Sequence, residues 1–416
     1  MNRKVTLFCL LMAAVVLVAC GKKSIVEKGT ETAKPDDTTE TVTGGAASGE
    51  AVKEVSYDDA FSAAERAVKE MTLEAKVAQM FLVDLNVLQE KDSGDKIYKC
   101  SKKMKAILEK YPVGGIFLSE KNAKDQEQSR KLTRDLQEAV SGPAMFIAVE
   151  EEGGGEHSIS LKVNALKQAG YSMAGDMGAL PAQQIESKNA SIATELKNFG
   201  FNFNLAPVAD YTTVASTDYA RRCFGSEVDT VEDAVTAFVK GMNSAGVIST
   251  LKYFPGAGSS TGEYGKDILI NNESLMTLRK KNFAVYSAGI KAGADCVMVG
   301  NISVPKITAS DTLPAFLAED IVTSLLREEL NFEGVILTSS LKDACLVRNY
   351  TQEYAAVEAV KAGCDMILQP LDFEACYQAV IKAVSAGEID EKVINTAVRR
   401  ILITKIQKGI CVLEDK

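Results

Sequence analysis

The chain has 416 residues, and its 56 Asp and Glu against 47 Lys and Arg give a formal charge of −9. An acidic balance with no dense Lys/Arg stripe argues against a nucleic-acid partner and ordinarily serves solubility. Among nine cysteines, Cys9 and Cys20 stand near the start, and the other seven (100, 223, 296, 345, 364, 376 and 411) are odd in number and contain no Cys-x-x-Cys pair. Neither a zinc site nor a disulfide framework is implied, and no metal or cofactor is expected. Cys296 and Cys364 sit in apolar, strand-like runs, where Cys acts as a small hydrophobe.

In chain order, Arg3 and Lys4 form a basic start, and residues 5–16 are an apolar run without charge. That run is shorter than the ~20 residues a helix needs to cross a bilayer, and the word Leu17-Val18-Ala19-Cys20 follows it. A basic start, a short apolar middle and a small-residue site describe a cleaved secretion signal over residues 1–20. The Leu-Val-Ala-Cys word resembles the bacterial lipobox. That resemblance implies lipidation of Cys20 and an extracytoplasmic protein anchored to a bacterial membrane; the alternative is an ordinary signal with an incidental Cys. Acyl chains contribute about 0.8 kcal/mol per buried methylene, so two or three of them hold a protein at a membrane. Residues 21–56 are rich in Lys, Thr, Glu, Ser, Gly, Ala and Asp, which predicts a flexible tether. Residues 57–416 then suit one large barrel domain.

Within that domain, short β-rich apolar runs alternate with amphipathic stretches. The runs predict strands at 80–84, 115–118, 145–150, 203–206, 248–253, 296–300, 334–338 and 365–368. Between and after them, apolar residues recur at three- and four-residue intervals over 125–140, 183–199, 231–245, 275–292, 318–330, 353–362, 375–385 and 391–408, which predicts helices. Near-continuous apolar strands separated by helices mean a parallel sheet covered on its outer face. Eight such units predict a single-domain α/β fold of the (β/α)8 TIM-barrel type. In such a barrel the site lies at the carboxyl ends of the strands. Asp84, Glu150 to Glu152, Asp210, Lys252, Asn301, Ser339 and Gln369 fall there and form a candidate polar ring.

Several words carry a family resemblance. They include the opening stretch from Met71 to Met80, Val113-Gly114-Gly115-Ile116-Phe117-Leu118, and Leu205-Ala206-Pro207-Val208-Ala209-Asp210. Further on come Arg222-Cys223-Phe224-Gly225-Ser226, Lys252-Tyr253-Phe254-Pro255-Gly256-Ala257-Gly258, Ala292-Gly293-Ala294-Asp295-Cys296, and Arg399-Arg400-Ile401-Leu402. In this order they resemble glycoside hydrolase family 3, in its single-domain β-N-acetylhexosaminidase branch. The resemblance implies a barrel, glycoside hydrolysis without a cofactor, and a carbohydrate or peptidoglycan-derived glycan as ligand. It also implies substrate-binding roles for Arg222, Lys252 and Asp210, and for Glu150, which replaces a sugar-binding Asp.

The chain departs from the family where chemistry is concentrated. A retaining glycosidase needs two groups flanking the scissile bond, one an anionic nucleophile and the other a proton donor. Ser339 stands at the end of the seventh strand where the family has its nucleophilic Asp, and a hydroxyl with no nearby base is hardly ionised. The acid/base loop reads Glu263-Tyr264-Gly265, with Gly265 at the family's His and Glu263 at its Asp. Tyr253, Ala257 and Asn301 replace three further His, Gly155 replaces an Arg, and the one His of the chain, His157, lies elsewhere. Glu263 is the candidate replacement acid, although a solvated loop carboxylate is the plainer account of it. Glu150 and Asp343 are the other carboxylates within range, with Asp343 expected beyond the strand end. Tyr253 and Tyr264 are the local candidates for an aromatic platform, with loop packing as the plainer role. These departures favour a tethered, catalytically degenerate barrel that binds an envelope glycan or a partner protein. The alternative is an active β-N-acetylhexosaminidase with displaced catalytic residues, and an imine-forming Lys252 is a remote third.

The anchor is directly testable. Cys20→Ser is expected to leave the protein unprocessed or to release it from the membrane fraction. Unchanged processing and fractionation would rule out lipidation.

Overall fold

The structure, a computed structural model, describes residues 55–89, 94, 96–153, 158–161, 172–213, 218–258 and 260–411. The expected signal with Cys20, and the expected tether up to residue 54, lie outside the described residues, as do Gly155 and His157.

Eight parallel strands close into a barrel. Around its circumference they run β1 (Phe81–Asp84), β10 (Met366–Leu368), β9 (Val335–Ser340), β7 (Cys296–Val299), β5 (Ile248–Phe254), β4 (Phe203–Asn204), β3 (Phe146–Val149) and β2 (Gly115–Phe117). Every predicted strand is present, with ends displaced by at most two residues. The apolar runs become strands buried along their length; all seven residues of β5 are buried. This is what a sheet covered by helices requires. Gly114 and Gly115 let β2 in closely, since a Cβ on Gly114 would collide with the Gln79 carbonyl and one on Gly115 would sit 2.9 Å from Phe146 Cβ. Outside the barrel, β6 (Leu269–Ile270) pairs with β8 (Ile302–Ser303). Two-residue strands carry no periodic signal, so the apolar pattern gives no sign of them.

Two predicted helices differ in detail. The 275–292 stretch breaks at Lys281 (φ −116°, ψ −76°) into Leu275–Lys280 and Asn282–Lys291. The break starts a second helix at Asn282, a buried residue whose amide donates to Asp210 Oδ1 at 2.8 Å, so the interruption serves the barrel mouth. The 318–330 stretch forms a π-helix over Asp320–Glu329. Its last turn closes from Leu330 N–H to Leu325 O at 3.0 Å.

The opposite end of the barrel is held by buried polar ties. Asp365, one residue before β10, accepts from Arg327 at 2.7 Å, Arg400 at 3.1 Å and the Ile336 N–H at 2.8 Å. Arg327 also donates to Gly334 O at 2.8 Å, which locks the π-helix to the start of β9. Nearby, the buried Lys405 donates to Gln79 Oε1 at 2.8 Å, and burial pushes its ammonium down to about 7. Polar ties at this end of a barrel hold the fold rather than the site. Removing one member of such a cluster strands its partners' charges and costs about 3–5 kcal/mol. Asp365→Ala is therefore expected to lower the unfolding free energy by that order in a urea titration. A loss below about 1 kcal/mol would contradict the role assigned to Asp365.

Candidate functional site

At the carboxyl ends of the strands, β5 delivers Lys252 into the barrel mouth with 0% of its surface exposed. An ammonium in that position needs anionic partners, and the segment after β3 supplies them. Lys252 Nζ pairs with Glu150 Oε1 at 2.5 Å and also with Glu152. Arg222, from the short helix Asp218–Arg222, grips Glu152 with two parallel bonds of 2.7 Å and lies 3.5 Å from Glu150. Burial by itself would raise the Glu152 carboxyl, but the Arg222 and Lys252 charges outweigh it and bring the group down to about 2. Lys252 mirrors this, since burial would lower it and the two carboxylates hold it above the ordinary lysine range. Two cations and two anions thus form a closed set, and Glu150 is its most exposed member.

Aromatic rings fill the space beside this set. Arg222 donates to the Tyr253 hydroxyl at 2.7 Å. The Tyr253 ring stacks on Tyr264 with centroids 3.8 Å apart, and Tyr219 lies beside both, 6.3 Å from Tyr253 and 6.0 Å from Tyr264. The Tyr264 hydroxyl accepts from Asn301 N–H at 3.1 Å and meets Ser339 Oγ at 2.6 Å. Ser339 in turn donates to Val299 O at 3.0 Å. Because the Ser339 proton goes to that carbonyl, Tyr264 is the donor in the 2.6 Å contact. The chain Asn301 N–H to Tyr264 to Ser339 to Val299 O uses every hydroxyl proton in it. Ser339 is fully buried and has no base among its hydrogen-bond partners.

Two carboxylates hold loops. Asp210 accepts from the backbone N–H groups of Ala257 at 2.6 Å, Gly258 at 3.3 Å and Tyr211 at 2.9 Å. It also takes Tyr219 OH at 2.9 Å and Asn282 Nδ2 at 2.8 Å. Burial pushes its carboxyl up to about 6 against these donors. The buried Glu151 accepts from Ser158 and from Ser160 N–H at 2.8 Å, and burial raises it. A third carboxylate is less committed. Asp343 precedes the short helix Ala344–Val347 and accepts from Asn301 Nδ2 at 2.7 Å. Burial pushes its carboxyl up to about 7; the Asn301 bond opposes this and the nearby Glu150 charge adds to it.

The structure thus brings Glu150, Asp210, Arg222, Lys252, Asn301 and Ser339 to one mouth, joined through Tyr219, Tyr253 and Tyr264. At the same end, Asp84 accepts from Gln369 at 2.8 Å and pairs with Lys342 at 2.7 Å. Glu263 stands apart on an exposed turn, paired with Lys266 at 2.6 Å. The carboxylate facing the ring from that quarter is Asp343, because the loop turns Tyr264 inward and Glu263 outward. Tyr219 and Asn282 belong to the site as well, yet no family word in the sequence points to them. Among the described residues no cluster of His, Cys, Asp and Glu is placed to hold a metal, and the seven cysteines after Cys20 are free.

Comparison with known proteins adds the following. Residues 72–404 match the Glycosyl hydrolase family 3 N terminal domain. A β-hexosaminidase of Hydrogenovibrio crunogenus is 29% identical over 266 residues, 62% of this chain and 71% of that protein. One from Stenotrophomonas maltophilia is 30% identical over 267 residues, covering 62% and 76%. Among solved structures, a β-N-acetylhexosaminidase from Beutenbergia cavernae superposes with a TM-score of 0.70 at 27% identity, covering 82% of this chain and 99% of the other. A family 3 β-N-acetylglucosaminidase from a Paenibacillus species gives 0.69 at 27%, and this chain spans 63% of its length.

The lowered Glu152 carboxyl makes a prediction about acid stability. Its contribution is complete above the ordinary glutamate value and is lost as the pH falls towards about 2. Glu152→Gln is expected to flatten the pH dependence of unfolding between roughly pH 4.5 and pH 2. It is also expected to cost on the order of 2–3 kcal/mol at neutral pH by leaving Lys252 and Arg222 short of an anion. An acid limb identical to that of the natural protein would show that Glu152 is not held by these charges.

Proposed function

The chain belongs to glycoside hydrolase family 3, and on that footing we propose that its barrel mouth engages a β-linked N-acetylhexosaminide glycan, binding it without the family's hydrolytic step. The ligand class follows the names of its relatives, the β-hexosaminidases. Absence of the hydrolytic step is carried by Ser339, whose hydroxyl is buried under Tyr264 and donated to a backbone carbonyl. A nucleophile must have a free lone pair and a base to take its proton, and Ser339 has no such base within hydrogen-bonding reach. Glu150 and Arg222, the more exposed members of the charged set, supply donors and acceptors of the kind that fix sugar hydroxyls, and the fully buried Lys252 holds them in place. Lipidation at Cys20 would hold this mouth at the cell envelope, where peptidoglycan-derived glycans are the ligands within reach.

A specific observation favours a second reading, hydrolysis through a displaced carboxyl. Asp343, pushed up to about 7, has the acidity a proton donor needs near neutrality. The named activity of the relatives points the same way. Chromogenic β-N-acetylglucosaminide and β-glucoside assays separate the two readings. The purified protein is expected to show no hydrolysis above a blank. Chito-oligosaccharide affinity is expected to fall at least about tenfold in Arg222→Met and Lys252→Met, as loss of charge-assisted bonds implies. Robust turnover that collapses in Asp343→Asn would replace binding with hydrolysis, and collapse in Glu263→Gln would assign the acid to that outer turn instead.

A further inference from the structure

Gly265 and Asp343 together leave a place at the mouth that the ring itself does not use. Gly265 has φ +84°, and a Cβ built there meets, among the described residues, Asp343 before anything else, at 3.7 Å from Cγ and Oδ1 and 3.8 Å from Oδ2. A methyl group at Gly265 would thus meet the carboxylate at ordinary van der Waals distance, so the bare glycine leaves about that much room beside Asp343. Asn301 Nδ2 occupies Asp343 Oδ2, which leaves Oδ1 as the oxygen with spare capacity. The Asn301 amide is fully buried, and its own oxygen, Oδ1, has no hydrogen-bond partner among the described residues. Unpartnered buried acceptors are rare in folded proteins and ask for an explanation. The half-buried Asp343 carboxylate is the acceptor within a ligand's reach, because the Asn301 oxygen is sealed from solvent. Asp343 has no ion-pair partner among the described residues, and Glu150 adds a negative potential. A ligand group completing this site must donate hydrogen bonds and tolerate, or carry, positive charge.

From the geometry we propose that the Asp343–Asn301–Gly265 corner recognises the free amine of a de-N-acetylated hexosamine, so that the barrel selects glycans carrying at least one unacetylated amino sugar. The inference rests on the glycan-binding reading above and adds the substituent it selects. A sugar held by Glu150 and Arg222 lies within electrostatic reach of Asp343, because both act on that carboxyl. The proton balance is simple. Near pH 7 the amine is largely an ammonium already and pairs directly with the ionised carboxylate; where the carboxyl is still protonated, its proton passes to solvent as the pair forms. An N-acetyl group offers one N–H and no charge, and it adds a carbonyl oxygen facing a carboxylate. It is both the weaker and the more repelled partner.

Calorimetric titration of the full chain near pH 7 and at 0.15 M salt tests this with three tetrasaccharides. The probes are the fully de-N-acetylated chitosan tetramer, the fully acetylated chitin tetramer and cellotetraose. The chitosan tetramer is expected to bind at least about tenfold more tightly than either of the others, the scale of a charge-assisted bond over a neutral one. Asp343→Asn is expected to abolish that ratio, whereas Asp311→Asn, the same charge change at an exposed site, leaves it intact. Equal affinity for the chitosan and chitin tetramers would overturn the amine proposal while leaving glycan binding standing. A preference that Asp311→Asn erodes as much as Asp343→Asn would reduce it to general attraction of a polycation to an acidic protein, and would also overturn it. Failure to bind any of the three would remove both readings together. Equal affinities of the natural protein for the chitosan and chitin tetramers would overturn the proposal even if Asp343→Asn does not fold.

Discussion

A lysine ammonium with no water around it is the constraint from which the mouth of this barrel follows. Taking such a charge out of solvent costs several kcal/mol unless anions and hydrogen bonds replace the lost hydration. Lys252 is placed at the end of β5 by strand register, so the neutralising groups must come to it. Glu150 and Glu152, two residues apart after β3, both reach Nζ. Two carboxylates on one lysine leave an excess of negative charge, and Arg222 removes it by gripping Glu152 and approaching Glu150. The balance fixes the segment after β3, the short helix that carries Arg222 and the Tyr253 hydroxyl in one arrangement.

Tyrosines stand next to that balanced set, and one of them, Tyr253, occupies a position that the family resemblance gives to a histidine. A phenol offers an apolar face and one polar tip, and Tyr264 uses both. Its ring lies on Tyr253, and its hydroxyl satisfies the Asn301 N–H and Ser339. A buried hydroxyl left at the end of β9 would otherwise need another donor, or would cost about 1–3 kcal/mol unsatisfied. The Tyr–Ser contact thus completes the hydrogen bonding of the buried Ser339 hydroxyl.

The barrel was legible in the sequence because its strands are apolar on both faces and its helices keep a 3.6-residue period. Position along the chain also placed Glu150, Asp210, Lys252, Asn301 and Ser339 at strand ends, since a parallel barrel puts every such end on one face. Periodicity is silent about which way a side chain on a glycine-rich turn points. Glu263 and Tyr264 are adjacent, and only the turn geometry sends the first to solvent and the second to the core. Nor does spacing indicate that a break at Lys281 presents Asn282 to Asp210, because a helix interrupted at one residue keeps nearly the same apolar pattern.

The left-handed backbone at Gly265 also bears on how this lineage can change. A residue with a side chain pays roughly 1–2 kcal/mol to enter that conformation. Any larger side chain there would also press towards Asp343, already in van der Waals range of a bare Cβ. An imidazole introduced at this position would therefore arrive in a turn shaped against it, and the surrounding loop would have to be remade first. Gly265 thus filters sequence change at the mouth, since only a residue without a Cβ enters this turn free of strain.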